Sequence, residues 1–269
     1  MSTGSTVVRA VFDRILCPVD GSPASLEAVR QAAILGEAVD LVGFVEVDEE
    51  NYSFYGVAQT VSKAEALAWR RLAEARALCP SASEELLHGP RIERLLELIA
   101  EDDASLVAVG PSTRNRSIGA LRRDVATEML HLAHSSVLVA RPASGRELFP
   151  SSIAVGYDGT RSAEAALSVG RDLADRLGAT LKVVAAGEAA GIESDSLADV
   201  PVKHDKRDSV TALLDASTGT DLLVLGSREL RGVRALGSVG ERVGLRAACS
   251  VLVVRGVDVP DVPSVLGRR

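Results

Sequence analysis

The chain has 269 residues, 46% hydrophobic and 25% charged, a composition typical of a globular protein with enough apolar material for two ordinary domains. Aromatic residues make up only 3%, so the core must consist of Val, Leu, Ile and Ala, as in buried parallel strands and the helices that cover them. The formal net charge of -7 argues against a nucleic acid or an anionic membrane surface as the main partner.

Short β-branched runs alternate with amphipathic segments along the first part of the chain. The predicted elements are, in order, strand Arg14–Val19, helix Ser25–Gly36, strand Asp40–Val47, a helix near Val61–Leu78, strand Glu84–His88, helix Arg91–Glu101, strand Ser105–Val109, a helix near Ala120–Ala133 and strand Val137–Arg141. This alternation is typical of βαβ units around a parallel sheet.

The second part of the chain repeats this alternation with one helix fewer. The predicted elements are strand Ile153–Gly156, helix Ser162–Leu177, strand Thr180–Ala185, strand Val200–Lys203, helix Asp208–Ala216, strand Asp221–Leu225, helix Val239–Ala247 and strand Val251–Val254. The segment "GEAAGIESDSLAD" between the second and third strands is too short and too polar to form the missing helix.

Three sequence segments occur twice in the same order, which indicates internal duplication. The matched pairs are Ile15–Val29 with Ile153–Leu167, Ser105–Arg114 with Asp221–Leu230, and Ser135–Arg141 with Cys249–Arg255. We therefore predict a first domain at residues 1–141, a linker with a proline at each end at 142–150, a shortened second domain at 151–256 and a loose tail at 257–269. The two domains are called the first and the second half below.

The first repeated segment places an acid, a glycine and a hydroxyl group where a strand passes into a helix, as "VDGS" and "YDGT". One interpretation is turn chemistry, with Ser22 and Thr160 as helix N-caps. Asp20 and Asp158 favour a second interpretation, because a cap needs only one of the two polar residues. An acid at the carboxyl end of a first strand lies where open α/β sheets bind ligands. Both interpretations remain open.

The second repeated segment contains Gly110 and Gly226, each directly after a buried-type strand and at the start of the loop to the last helix. The loops after the first and fourth strands face one another across the usual ligand crevice of such sheets. Ser238 either caps the following helix or donates a hydrogen bond to a phosphate there. Arginines of these loops, Arg228 among them, are either solvated charges or part of an anion site.

Strand-"VDGS"-helix and strand-"GSR…GS"-helix-"SVLVVR", occurring twice over nearly the whole chain, resemble the universal stress protein (UspA) family. The resemblance implies two doubly wound, Rossmann-like domains of the adenine nucleotide alpha hydrolase-like type. It also implies a site for ATP, AMP or another adenine nucleotide. In the second half, the residues that would form this site are Asp158, Val183, Gly226, Arg228, Gly237, Ser238 and Val239.

Both halves depart from the phosphate motif of this family, G-x2-G-x9-G-[ST]. In the second half Glu229 stands in place of the middle glycine, and the loop is two residues short. In the first half Asp20 and Gly110 match, but Thr113 replaces the middle glycine, and Arg123 and Asp124 replace the final pair. The first half is therefore expected to be degenerate as a nucleotide site.

Two functional hypotheses remain open. The first is a stress-response regulatory module that binds an adenine nucleotide in the second half, and the alternative is a structural or protein-interaction module whose sites have decayed. We expect no enzyme, because no Walker A motif, G-x-S-x-G motif or Ser/His/Asp set appears. We also expect no metal site, because His131 and His134 have no acid or cysteine at ligand spacing.

The resemblance further implies that the last strands of the two halves, Val137–Val139 and Val251–Val253, pair antiparallel within the chain. Whether the chain also forms a homodimer is left open. Three distant cysteines without a C-x-x-C motif are typical of a reduced compartment. No apolar segment approaches the roughly 20 residues that a membrane helix needs. With no convincing signal peptide, these features predict a cytoplasmic protein.

Overall fold

Ten strands form one continuous sheet in the computed structural model, which describes residues 11–45, 57–111, 124–142, 148–191, 195–227 and 238–255. The elements of the first half are β1 (Phe12–Pro18), α1 (Pro23–Leu35), β2 (Gly36–Val45), α2 (Val57–Arg76), β3 (Ser83–His88), α3 (Arg91–Glu101), β4 (Leu106–Val109), α4 (Val125–Leu132) and β5 (Ser136–Val139). Those of the second half are β6 (Ser152–Tyr157), α5 (Arg161–Leu177), β7 (Thr180–Ala186), β8 (Val202–Asp205), α6 (Ser209–Ser217), β9 (Leu222–Gly226), α7 (Val239–Arg246) and β10 (Ser250–Val254).

The strand order is β3-β2-β1-β4-β5-β10-β9-β6-β7-β8, so each half contributes five strands in the order 3-2-1-4-5. Strand pairs within each half are parallel. The predicted α/β fold with parallel sheets in two related halves is confirmed. Among the described residues, no helix is both long and apolar enough to cross a membrane.

Helices cover both faces of the sheet because successive strand residues point to opposite faces. Ile15 and Cys17 pack on one face with α1, α2 and α5, whereas Leu16 packs on the other with α3, α4, α6 and α7. All three side chains are fully buried. This arrangement explains the near-continuous apolar runs of the strands, since both of their faces lie in a core.

The two halves join where β5 pairs antiparallel with β10, Val139 opposite Val251 and Val137 opposite Val253. These four valines are buried, so neither last strand presents an apolar edge to solvent. The predicted pairing of the last strands is confirmed.

Most element boundaries differ from the sequence predictions by a few residues, and the helix ends at Gly36 and Val125 show why. Gly36, predicted as the end of a helix, is the first residue of β2, and its backbone is extended with φ -130°. A Cβ at Gly36 would lie 2.4 Å from Cδ1 of Ile15, so glycine lets β2 begin directly against β1. The last helix of the first half begins at Val125, capped by Asp124, and the predicted stretch 120–123 lies outside the described residues.

Between β7 and β8 the described residues form two short 3-10 helices, Gly187–Gly191 and Asp195–Leu197, and no α-helix. Leu197 is buried in the core on the α5 side of the sheet, and Val200 packs beside it. This short segment therefore covers part of the sheet face that α2 covers in the first half.

Candidate functional site

A cavity of about 350 Å³ lies at the carboxyl ends of the strands in the second half. The strand order reverses between β6 and β9, so the loops that follow these two strands diverge and leave a crevice. The lining residues used below are Asp158, Val184, Leu213, Leu225, Gly226, Ser238, Val239, Gly240, Glu241 and Arg255, together with Leu130 from the first half.

Asp158 follows β6 directly, and its carboxylate organises the turn into α5. Its Oδ1 accepts hydrogen bonds from the backbone N–H of Thr160 at 3.2 Å and from the Thr160 hydroxyl at 2.5 Å. The Thr160 hydroxyl oxygen in turn accepts from the N–H of Ala163 at 3.3 Å, as an N-cap does. Both polar residues thus have a local structural role, which weakens the inference that the aspartate must serve a ligand.

Asp20 makes the equivalent turn in the first half, accepting from the N–H of Ser22 at 2.9 Å. Partial burial opposes ionisation of this carboxylate, but the hydrogen bonds from Ser22 and Ser25 and the charge of Arg91 together outweigh it and lower the pKa of Asp20. The crevice here is partly filled by side chains. Arg71 from α2 lies against the turn at Gly21, and the Arg91 guanidinium stacks 5.7 Å from the ring centroid of Phe44.

Gly226 and Gly110 lie where the end of a strand meets the first turn of a helix. A Cβ on Gly226 would lie 2.0 Å from the carbonyl oxygen of Ser162, and one on Gly110 would lie 2.6 Å from that of Ala24. Both glycines are therefore required for backbone packing at the crevice. Gly226 also lines the cavity, so this packing and ligand access coincide in the second half.

The first turn of α7 forms one side of the cavity, with Ser238 as its N-cap. The Ser238 hydroxyl oxygen accepts from the N–H of Glu241 at 3.2 Å, and its proton can still be donated to a ligand. Val239 and Gly240 also line the cavity in this turn, where helix amides have no partner within the helix. Four predicted site residues, Asp158, Gly226, Ser238 and Val239, are thus brought to one cavity.

The other predicted residues are placed differently. The side chain of Val183 packs on the α5 face, and its N–H donates to the carbonyl of Pro201 at 2.8 Å. The next residue, Val184, faces the cavity. Arg228 and Gly237 lie outside the described residues. A contact between Val183 and a ligand stays a prediction. Because the side chain faces away from the cavity, only main-chain atoms of Val183 could make that contact.

The first half also contributes to the wall of this cavity, which no sequence pattern predicted. Leu130 of α4 lines it directly. His131 Nε2 lies 3.0 Å from Oε1 of Glu241, and both side chains are largely buried. Arg255, at the end of β10, also lines the cavity and donates from its guanidinium to the carbonyl oxygens of Leu130 and Ala133. Arg141 and Arg255 are the last residues of the two copies of the third repeated segment. This repetition is the one sequence signal that singles out the two arginines.

The cysteines and histidines form no further site within the described residues. Cys17, Cys79 and Cys249 are buried and unpaired with one another. Burial raises the pKa of the Cys249 thiol to about 11, so it remains protonated at neutral pH. Among the described residues, no group of three or more His, Cys, Asp or Glu side chains is arranged to hold a metal ion.

A family model described as the universal stress protein family matches residues 12–141 and 201–255. The chain belongs to the universal stress protein family. The part of the second half left out of the match, residues 151–200, includes the shortened connection between β7 and β8.

Solved structures that cover 91% of this chain show the same fold. A universal stress protein from Archaeoglobus fulgidus DSM 4304 has 19% identity and a TM-score of 0.72, covering 91% of this chain and 97% of that one. A functionally unknown protein from Pseudomonas aeruginosa PAO1 has 15% identity and a TM-score of 0.59, covering 91% and 93%. A universal stress protein in complex with cAMP has 21% identity and a TM-score of 0.35, covering 49% and 99%. The search of curated proteins found no match.

Proposed function

We propose that this universal stress protein is a cytoplasmic regulatory module that binds an adenine nucleotide in its second half. The observation that carries this proposal is the cavity of about 350 Å³ between Asp158 and the first turn of α7. Its volume is at the lower end of the range for ligand pockets, about 300–1,000 Å³. It therefore suits a nucleoside with its first phosphate better than a whole extended triphosphate.

The chemistry of the cavity lining matches the parts of a nucleotide. Val184, Leu213 and Leu225 provide an apolar wall for a base. The Asp158 carboxylate can accept hydrogen bonds from ribose hydroxyls or from the adenine amine. The first turn of α7 offers amide groups and the positive end of a helix dipole, which favour a phosphate.

The first half is proposed to be degenerate as a nucleotide site. Asp124 caps α4 at the position that Ser238 occupies in α7, accepting from the hydroxyl of Thr127 at 2.9 Å. A carboxylate at this helix terminus would repel a phosphate that approached the same amides. The side chain of Arg71 against Gly21 further narrows this crevice.

The acidic residues of the cavity are better suited to ligand binding than to catalysis. Asp158 accepts two hydrogen bonds from Thr160, and Glu241 lies against His131. A general base must reach the proton that it abstracts, and both carboxylates are held by neighbouring side chains. We therefore propose a binding module and not an enzyme.

One observation favours the alternative, an interaction module that binds no nucleotide. Each repeated motif residue in the crevice has a structural role without any ligand: Gly226 allows close backbone contact, Ser238 caps α7 and Asp158 orders a turn. A direct measurement of nucleotide binding distinguishes the two functions.

The test is calorimetric titration with AMP, ATP and cAMP, with Gly240→Asp and Gly240→Ala as a matched pair of variants. A Cβ at Gly240 would lie 3.7 Å from Cγ1 of Val253, an ordinary contact, so the Cβ of either new side chain meets no clash. An acid in the first turn also stabilises a helix. Gly240→Asp should therefore fold normally, yet weaken AMP binding at least about tenfold by repelling the phosphate.

Gly240→Ala should bind AMP like the natural chain, and adenosine, which has no phosphate, should bind the Asp variant with little loss. If the natural chain gives neither heat nor thermal stabilisation at millimolar nucleotide, the interaction module is the correct function. Equal AMP affinity in the Asp and Ala variants would place the phosphate away from α7.

A further inference from the structure

The short connection between β7 and β8 lies where the first half has helix α2. Its last part, residues 195–199, is called the strap below. Leu197 of the strap is 7% exposed and belongs to the same apolar cluster that α2 enters through Leu72 and Ala75. Within the described residues it is the only strap residue in this cluster, so apolar packing alone would hold the strap weakly.

Polar contacts with Glu164 of α5 supply additional attachment. The Ser196 hydroxyl donates to Oε1 of Glu164 at 2.9 Å, and the Tyr157 hydroxyl donates to the same oxygen. The two hydroxyl oxygens also lie 3.4 Å apart. Arg171, further along α5, donates to the carbonyl oxygen of Ser196 at 2.6 Å and to the Asp199 carboxylate. Glu164 thus joins the strap to the end of β6.

These polar side chains have apolar counterparts in the first half. With the offset of 138 residues between the two copies of the first repeated segment, Glu164 corresponds to Leu26 and Tyr157 to Val19. Leu26 and Val19 pack in the apolar cluster that also includes residues of α2. The half without this helix therefore has hydrogen-bonding groups at the positions where the other half has apolar ones.

The polar cluster reaches the cavity through Tyr157, which also lines it. Tyr157 is 3% exposed and directly precedes Asp158, the acid that would contact the nucleotide. A buried tyrosine hydroxyl needs a hydrogen-bond partner, and Glu164 supplies one. Through this hydrogen bond, Glu164 limits the movement of the chain where β6 meets the cavity.

We propose that Glu164 is a positioning residue that fixes Tyr157, and with it the cavity-lining end of β6, to the docked strap. The part of this inference that concerns a ligand rests on the proposed nucleotide binding. Because a nucleotide held at Asp158 and a docked strap restrict the same strand end, binding and docking stabilise one another.

Loss of Glu164 loosens the strap without releasing it altogether. The contact between the hydroxyls of Tyr157 and Ser196 remains, and so do the hydrogen bonds from Arg171. What disappears is a charged acceptor that two hydroxyl groups share, and hydrogen bonds to a charged acceptor are the stronger kind.

The test uses two replacements of Glu164 and one control. Glu164→Leu introduces the residue of the first half and removes the acceptor, whereas the amide oxygen in Glu164→Gln can still accept from both hydroxyls. Glu93→Leu removes an acid from the first turn of α3, as Glu164→Leu does from that of α5, and so controls for the helix dipole.

Hydrogen exchange in the ligand-free chain measures the positioning role. We expect amides 158–160 and 195–200 to exchange at least about tenfold faster in Glu164→Leu than in the natural chain. Glu164→Gln should exchange more like the natural chain than like Glu164→Leu, and Glu93→Leu should stay within about twofold of the natural chain.

Calorimetry measures the coupling to the ligand. AMP affinity should fall at least about fivefold in Glu164→Leu, keep most of its value in Glu164→Gln and stay unchanged in Glu93→Leu. AMP should also slow the exchange of amides 195–200 in the natural chain, because the coupling is reciprocal. Unchanged AMP affinity in Glu164→Leu would overturn the proposal.

Failure of the proposed nucleotide function would look different. If the natural chain binds no AMP at millimolar concentration, that function is wrong, and exchange in the ligand-free chain alone decides the positioning role. Faster exchange of both amide segments in Glu164→Leu, but not in Glu93→Leu, would support positioning by Glu164. Unchanged exchange at either segment, or equally fast exchange in Glu164→Leu and Glu164→Gln, would overturn it.

Discussion

Position 226 requires a glycine first because two backbone segments approach closely there. Its place beside the cavity is a second and weaker reason. The carbonyl of Ser162 occupies the space that any side chain at this position would need. Asp158 and Ser238 are similar, since each orders a chain turn in addition to facing the cavity. At this crevice the residues that a nucleotide would contact are also those that let β6, α5, β9 and α7 meet.

We predict that Gly226→Ala destabilises the protein by about 3 kcal/mol, because a Cβ 2.0 Å from the Ser162 carbonyl oxygen forces the backbone of α5 away from β9. Urea denaturation followed by circular dichroism measures this loss. Gly219→Ala is the control, since no atom lies within 4 Å of a Cβ at that position, and it should change the free energy of unfolding by less than about 1 kcal/mol. Equal stability of the two variants would contradict the packing role of Gly226.

Among the secondary-structure elements, the last strand of each half serves the opposite half. Arg141, just after β5, donates to the carbonyl oxygens of Gly244 at 2.7 Å and of Cys249 at 3.2 Å, around the end of α7. Arg255, after β10, does the same for α4. The backbone N–H of Arg141 donates to the Ser250 hydroxyl at 2.9 Å, and that of Arg255 to the Ser136 hydroxyl at 3.1 Å. Each strand end thus carries one arginine that caps a helix across the junction.

We predict that Arg255→Ala lowers the free energy of unfolding by about 2–3 kcal/mol, because the carbonyls at the end of α4 lose charge-assisted hydrogen bonds. The exposed Arg246 in the last turn of α7 is the matched control, and its replacement by alanine should cost less than about 0.5 kcal/mol. Thermal and urea denaturation give both values. A loss no larger than that of the control would show that the cross-junction caps do not stabilise the fold.

The sequence was sufficient to predict the alternation of strands and helices and the duplication, because both depend on local periodicity or on repeated segments. The pairing of β5 with β10 was predicted from the resemblance to the universal stress protein family. The role of Arg255 was not predictable, since its partners in α4 are more than 120 residues away in the chain. The same applies to Leu130, which lines the cavity. Its place there depends on how two helices pack after the halves have joined, and no local pattern encodes that distance.

At the scale of the whole molecule, the ten strands and the two layers of side chains run across both halves without interruption. Ile15 of β1 and Ile153 of β6 belong to the same buried cluster, together with residues of α1 and α5. Arg176, in the last turn of α5, donates to the carbonyl oxygens of Ile34 and Leu35 at the end of α1, at 3.2 Å and 2.5 Å. With a shared sheet, a shared core and exchanged helix caps, unfolding one half exposes buried surface of the other.

We therefore predict that the two halves unfold in one transition, and the repeat supplies a matched pair to test it. Ile15→Ala and Ile153→Ala remove equivalent side chains that are 0% and 1% exposed, and each should cost about 2–5 kcal/mol. Trp69, the single tryptophan, reports on the first half by fluorescence, whereas circular dichroism reports on both halves. In one cooperative unit, Ile153→Ala lowers the Trp69 urea midpoint as much as Ile15→Ala does, and the two signals coincide. If Ile153→Ala left the Trp69 midpoint unchanged while circular dichroism showed two steps, the junction would be too weak to couple the halves.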